Sequence, residues 1–225
     1  INTRVLIPGQ VHGVGVFTRE VCQRLVAMRP EDEFLFLFDR PFDPSFIFGS
    51  NVEGRHLFPP ARHAFLFYVW FEWQVARALH QWKADVFFSP DAYLSLRSSV
   101  PSLPVMHDVN FERFPQHFRY NHRWHYRRFW PKYAAHAAKI ATVSEFSKSE
   151  IVHFYGVPPE KVSVVGNGVQ PEAWPALSAE EQKAFRAVNT QGRPYFFYLG
   201  HWYPRKNLVA LVKAWEHYRA SSPEG

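Results

Sequence analysis

The chain has 225 residues, enough for one large domain or one and a half, and 47% of them are hydrophobic, so a sizeable core can be buried. A net charge of +6 favours polyanionic partners: nucleic acid, anionic lipid or phosphorylated substrates. The single cysteine, Cys22, excludes an internal disulfide and a multi-cysteine zinc site, and no run reaches the about 18 apolar residues of a membrane-spanning helix.

Cysteine usage fits a cytosolic compartment, and no leader peptide is read ahead of the first apolar run. That run, Thr3 to Pro8, is expected to be a strand centred on Val5-Leu6-Ile7. It leads into Gly9-Gln-Val-His-Gly13-Val-Gly15, after which Val14, Phe17, Val21, Leu25 and Met28 recur at helical spacing. Strand, glycine loop and helix at a chain start are the opening of a doubly wound α/β fold. Gly13 and Gly15 let backbone approach a ligand closely, although the same pair also suits a packing loop. The dinucleotide fingerprint fails, because its third glycine is replaced by Thr18.

Glu33 to Asp39 and Val52 to Phe58 read as strands, and Ala64 to Trp82 as a helix whose start is apolar almost all round. Such a helix belongs in a core or partly in a membrane interface. Asp85 to Ser89 and Leu103 to His107 are short strands, the second ending in His107-Asp108. Ligands of open α/β sheets sit beyond the carboxyl ends of strands, which places this pair for polar work on a substrate. The same position also suits a histidine satisfied by a backbone carbonyl.

Between Arg113 and Ser144 there is no Asp or Glu, while Arg113, Arg119, Arg123, Arg127, Arg128, Lys132 and Lys139 interleave with aromatic residues. Nucleic acid, an anionic membrane surface or a plain solvated basic face all fit this stretch. Pro131 is expected to kink or end its helix. Lys139 to Ser144 is a strand ending in an N-cap serine, Ser144, for a helix over Glu145 to Tyr155. Lys161 to Val165 is a further strand, followed by Gly166-Asn167-Gly168.

The polar stretch 171–193, with a helix expected over Leu177 to Ala187, is the natural linker. It separates a domain over 1–170 from the start of a second over 194–225. In the latter, Tyr195 to Leu199 reads as a strand, Gly200 as a loop, and Leu208, Leu211, Val212 and Trp215 as one helix face. Arg205 and Lys206 then lie at or just before a helix N-terminus, where free N–H groups and two cations favour a diphosphate, although a solvated basic pair on a helix cap suits the same place.

The order of these motifs resembles the retaining glycosyltransferases of family 4. The carrying features are Gly13-Val-Gly15, His107-Asp108, Thr142-Val-Ser144-Glu-Phe-Ser147-Lys, Asn167-Gly168-Val169 and Pro204-Arg205-Lys206-Asn207. Within the family it looks most like bacterial mannosyltransferase-type members. The resemblance implies a GT-B-type fold, two facing α/β domains with doubly wound, mostly parallel sheets, the second only begun here. It implies a nucleoside-diphosphate-sugar donor, a glycan or lipid-linked acceptor, and no metal or other cofactor. His107 and Asp108 would act at the sugar. Gly13, Gly15, Ser144, Asn167, Arg205 and Lys206 would hold the donor, with the cationic pair at its diphosphate. A cytoplasmic protein, peripheral at the inner face of the membrane, is expected; nucleic acid is not. The resemblance also implies a Glu-x₇-Glu motif later in the second domain; the chain is expected to stop before it, and Asp32, Glu33 and the other acids present do not substitute. The chain is therefore expected to be part of a longer protein or a shortened relative, inactive in isolation. Read from residues alone, a basic α/β module binding nucleic acid or membrane without catalysis stays open.

Overall fold

The computed structural model describes residues 1–61, 64–169, 175–200 and 202–221, with the side chains of Ala64 and Arg205 left out. The chain divides into two compact units, Ile1–Asn167 and Gly168–Gly225.

The first unit is built on parallel pairs. Strand β1 (Phe34–Phe38) pairs with β2 (Val52–His56), β3 (Phe87–Ser89) with β4 (Ser102–Pro104), and β5 (Ile140–Thr142) with β6 (Val162–Val164). Single bridges join the pairs. The N-terminal residues pair with β1 through Asn2 and Leu37, and the Asn2 amide donates to Phe88 O at 2.9 Å. Val105 bridges to Ala141, linking β4 to β5. The resulting order is β2-β1-N-terminus-β3-β4-β5-β6.

The sequence of β1 explains why this sheet is buried on both faces. Side chains alternate along a strand. Phe34, Phe36 and Phe38 therefore enter one core cluster with Leu6, Cys22, Val26, Phe46 and Val52. Leu35 and Leu37 enter another with Trp70, Phe71, Leu79, Met106, Trp130 and Ile151. Helix α1 (Val14–Met28) supplies the first cluster through Cys22 and Val26. Burial pushes the Cys22 thiol up to about 12, which leaves it unreactive.

The second cluster is supplied by α2 (Ala64–Val69), a π-helical turn over Trp70–Val75, α3 (Ala76–Trp82), α5 (Tyr120–His136) and α6 (Glu145–Tyr155). The expected helix over 64–82 thus forms with one wide turn inside it. At that turn the Glu72 carboxylate is buried and accepts from the amides of Leu96 and Arg97 at 3.1 and 3.0 Å. A short helix, α4 (Asn110–Arg113), precedes α5.

Three expectations need correction. The first strand is not centred on Val5-Leu6-Ile7: pairing stops at Thr3, whose amide donates to Leu37 O, and a turn closes from Leu6 N to Thr3 O. Leu6 is apolar because it is buried under α1, not because it is in the sheet. Of the two outcomes expected at Pro131, an end to the helix is corrected: α5 runs on to His136. One backbone bond is lost there, and burial of Trp130, Tyr133 and Ala134 carries the helix past it.

The third correction concerns the second unit. Tyr195 to Leu199 forms no strand, and all five residues are exposed. A strand needs a neighbour for its backbone groups, and none pairs with it among the described residues. The unit contains α7 (Ala179–Thr190), a 3₁₀ turn over Pro204–Lys206 and α8 (Leu208–Ser221). Helix α7 begins with a full capping box between Ser178 and Glu181.

Candidate functional site

In the first unit the sequence-derived site residues stand beyond the carboxyl ends of parallel strands. His107 and Asp108 follow β4 and its bridge at Val105. Ser144 follows β5. Asn167 follows β6, exposed, two residues past an amide bond from Val165 to Thr142 O. The glycine loop opens α1.

His107 is held from three sides. Its Nε2 lies 2.9 Å from the Pro90 carbonyl, which can only accept, so Nε2 carries the hydrogen. That satisfies the backbone-carbonyl expectation at one nitrogen and leaves Nδ1 as the acceptor. Phe17 of α1 meets the imidazole edge-on at 4.9 Å between centroids, which brings the start of α1 to the histidine. The Ser147 hydroxyl donates to His107 O at 3.0 Å, fixing the backbone from α6. Next to it the Thr142 hydroxyl donates to Met106 O at 2.6 Å. A half-buried imidazole so fixed has a set direction.

The other residues are less free than the sequence suggests. Ser144 caps α6: its Oγ accepts from Ser147 N at 3.1 Å. Asp108 accepts from Asn110 N at 3.2 Å, an Asx turn into α4, while its carboxylate stays exposed. The two glycines differ in kind. Gly13 caps α1 at φ 51°, and a Cβ there would meet open space. Gly15 is buried, and a Cβ there would stand 3.1 Å from Val5 O. Gly15 thus has a packing reason of its own, and Gly13 is the one with room for a ligand.

One polar cluster escaped the sequence reading. Arg4 and Asp91 form an ion pair at 2.8 Å, and Asp91 also accepts from the Asn2 amide group at 2.7 Å. The Arg4 guanidinium stacks on Phe67 and Tyr93. Asn2 and Asp91 lie 89 positions apart in sequence, and only the juxtaposition of chain start and β3 end shows the cluster. Ser89 and Asp91 directly after an apolar strand were the one available signal.

In the second unit Lys206 closes the 3₁₀ turn, exposed, its amide donating to Tyr203 O at 2.8 Å. Asn207 takes a left-handed backbone, and its carbonyl accepts from Ala210 and Leu211 at the first turn of α8. Lys206 therefore lies just before that helix. The Arg205 side chain and His201 lie outside the described residues. No group of three or more His, Cys, Asp or Glu side chains able to hold a metal occurs among the described residues.

With this geometry in view, comparison with known proteins adds the following. The family model described as Glycosyltransferase Family 4 matches residues 11–173. The chain is 23% identical over 165 residues to the O-antigen chain mannosyltransferase B of Escherichia coli, covering 73% of this chain and 40% of that protein. It thus spans well under half the length of that relative. A solved structure, the glycosyltransferase from Rickettsia africae ESF-5, matches with a TM-score of 0.50 at 14% identity. That match covers 84% of this chain and 48% of the other, and it shows a likeness of fold.

Proposed function

The chain belongs to glycosyltransferase family 4, and from that premise we propose that it serves a retaining, GT-B-type enzyme. The reaction moves a sugar, mannose, from a nucleoside-diphosphate sugar to a glycan or lipid-linked acceptor. The observation that carries this is the fixed His107 beyond β4, touched by Phe17 next to the open Gly13 turn. The name of the Escherichia coli relative supports mannose as the sugar.

Chemically, the acceptor hydroxyl oxygen attacks the anomeric carbon while the bond to the diphosphate oxygen breaks. The departing phosphate oxygen takes the acceptor proton on the same face, which retains configuration. Charge building on the diphosphate is what most needs stabilising. Arg205 and Lys206 supply two cations for it, so no metal is called on. His107 Nδ1 accepts a hydrogen bond from a donor-sugar hydroxyl, and Asp108, exposed beside it, faces the same sugar. Gly13 gives backbone N–H groups an unobstructed approach to phosphate. Ser144 and Asn167 line the donor from their strand ends. The enzyme works in the cytoplasm, peripheral to the inner face of the membrane; no helix among the described residues is long and apolar enough to cross it.

Calorimetric titration of the full-length protein tests the sugar contact. His107→Ala should weaken nucleotide-sugar binding about fivefold, one hydrogen bond's worth, and leave the bare nucleoside diphosphate unaffected. Equal loss of both, or of neither, would take His107 away from the sugar.

A further inference from the structure

We infer that the exposed face shared by α2 and α5 docks on a lipid bilayer with anionic headgroups. This deepens the peripheral-membrane part of the reading above and rests on it. Phe65 and Tyr68, one helical turn apart on α2, are 73% and 45% exposed. On α5, Tyr120 and Trp124 are 73% and 56% exposed. The two pairs are continuous, because Tyr68 and Trp124 both line a cavity of about 210 Å³ whose other walls are mainly Phe67, Phe71, Phe129 and Tyr133. Large aromatic side chains standing out of two adjoining helices form a patch, not scattered exposure.

Spacing on α5 adds the charge. Tyr120, Trp124, Arg128 and Lys132 recur every fourth residue and make one ridge. Arg119, Arg123 and Arg127 make the ridge beside it. Of these cations only Arg127 has an ion-pair partner among the described residues, Glu112 at 3.2 Å. Arg119, Arg123, Arg128 and Lys132 have none. Arg119 is the N-cap of α5 and no acid stands in its first turn. Cations at the positive end of a helix repel its dipole, a cost that a negative partner offsets.

The distribution selects the partner. Cations and two exposed rings, Tyr120 and Trp124, stand together on α5, with Arg123 over the Tyr120 ring, whereas Ala64 to Ala76 contains no Lys or Arg and adds the exposed Phe65 and Tyr68. Nucleic acid binds where aromatic platforms and cations share one groove that tracks the phosphates. Here the rings continue past the cations onto a helix without Lys or Arg, and three of the four exposed rings are Tyr or Trp, which settle at the headgroup level. Phosphate headgroups take the cations, and the upper acyl region takes the rings.

The test is sedimentation of the full-length protein with vesicles of phosphatidylglycerol mixed with phosphatidylcholine, or of phosphatidylcholine alone. Binding to the mixed vesicles should weaken about fivefold for each of Arg128→Ala and Lys132→Ala and fall with added salt. Tyr68→Ala with Trp124→Ala should abolish it even at low salt. All variants should keep the wild-type circular dichroism and nucleoside-diphosphate affinity, so a transferase that ignores vesicles would sink this surface and leave the enzyme reading intact. Equal binding to both vesicle types, binding unaffected by these substitutions, tighter binding of an oligonucleotide, or a dimer that Trp124→Ala dissociates would each overturn the inference.

Discussion

The same motif occurs twice in this chain with opposite outcomes. Lys139 to Tyr155 and Tyr195 to Ser221 each read as an apolar run, a loop and a helix. In the first unit the run becomes β5, because Val105 on one side and β6 on the other take its backbone groups. Its helix, α6, buries Ile151. In the second unit the run stays outside any strand, and α8 buries no residue. Local pattern proposes an element, and neighbours decide it.

The largest effect expected from this contrast concerns two tryptophans. Trp70 is fully buried and its Nε1 donates to Leu57 O at 3.0 Å. Trp70→Ala should cost about 3–5 kcal/mol and unfold the first unit at a much lower denaturant concentration. Trp215, 44% exposed on α8, should cost within about 0.5 kcal/mol when changed to Ala. Denaturant midpoints followed by circular dichroism decide; equal midpoints for both variants would break the comparison.

The next effect belongs to ligand binding. Lys206→Ala and Arg205→Ala should each weaken nucleoside-diphosphate binding by about 1.5–3 kcal/mol, the worth of a charge-assisted bond. Titration calorimetry on the full-length protein checks it, and unchanged affinity in both would remove the pair from the donor site.

Capping gives a smaller effect and sharpens the contrast. Ser144→Ala should cost about 1 kcal/mol of global stability, because α6 is part of the first unit's core. Ser178→Ala removes the capping box of α7. Since α7 buries no residue, the loss should appear as local helix fraying without a shift in the cooperative midpoint. Hydrogen exchange separates the two outcomes.

The smallest is a pH effect. Arg113 grips Glu150 through two bonds of 2.7 and 2.6 Å and holds its carboxyl below the usual carboxylate range. A depressed folded-state pKa stabilises above the unfolded value, and that contribution is lost as pH falls through the folded value. Glu150→Gln should therefore lose less stability than wild type on acidification; identical acid profiles would deny the pair any role.

The extent to which the sequence revealed this arrangement follows the same rule. Glu145 to Tyr155 was legible to the residue because Ser144 and Gly156 mark its ends chemically. The buried alternation of β1 was legible as a continuous apolar run. The place where the first strand pairs was not, since Leu6 is apolar for a different neighbour. The π-helical turn at Trp70–Val75 carries no sequence mark. His107 was legible as a residue at a strand end. That Pro90, Phe17 and Ser147 fix it was not, because those contacts join elements 17 to 90 residues apart.

The most direct measurement is a transfer reaction by the full-length protein with nucleoside-diphosphate mannose and glucose and a glycan or lipid-linked acceptor. The anomeric configuration of the product is read by NMR. The account predicts transfer from mannose donor with retention, and His107→Ala at least about tenfold slower in kcat at unchanged stability, a loss of about 1.4 kcal/mol at the transition state. Inversion of configuration, no transfer from either donor, or wild-type turnover in His107→Ala would contradict it.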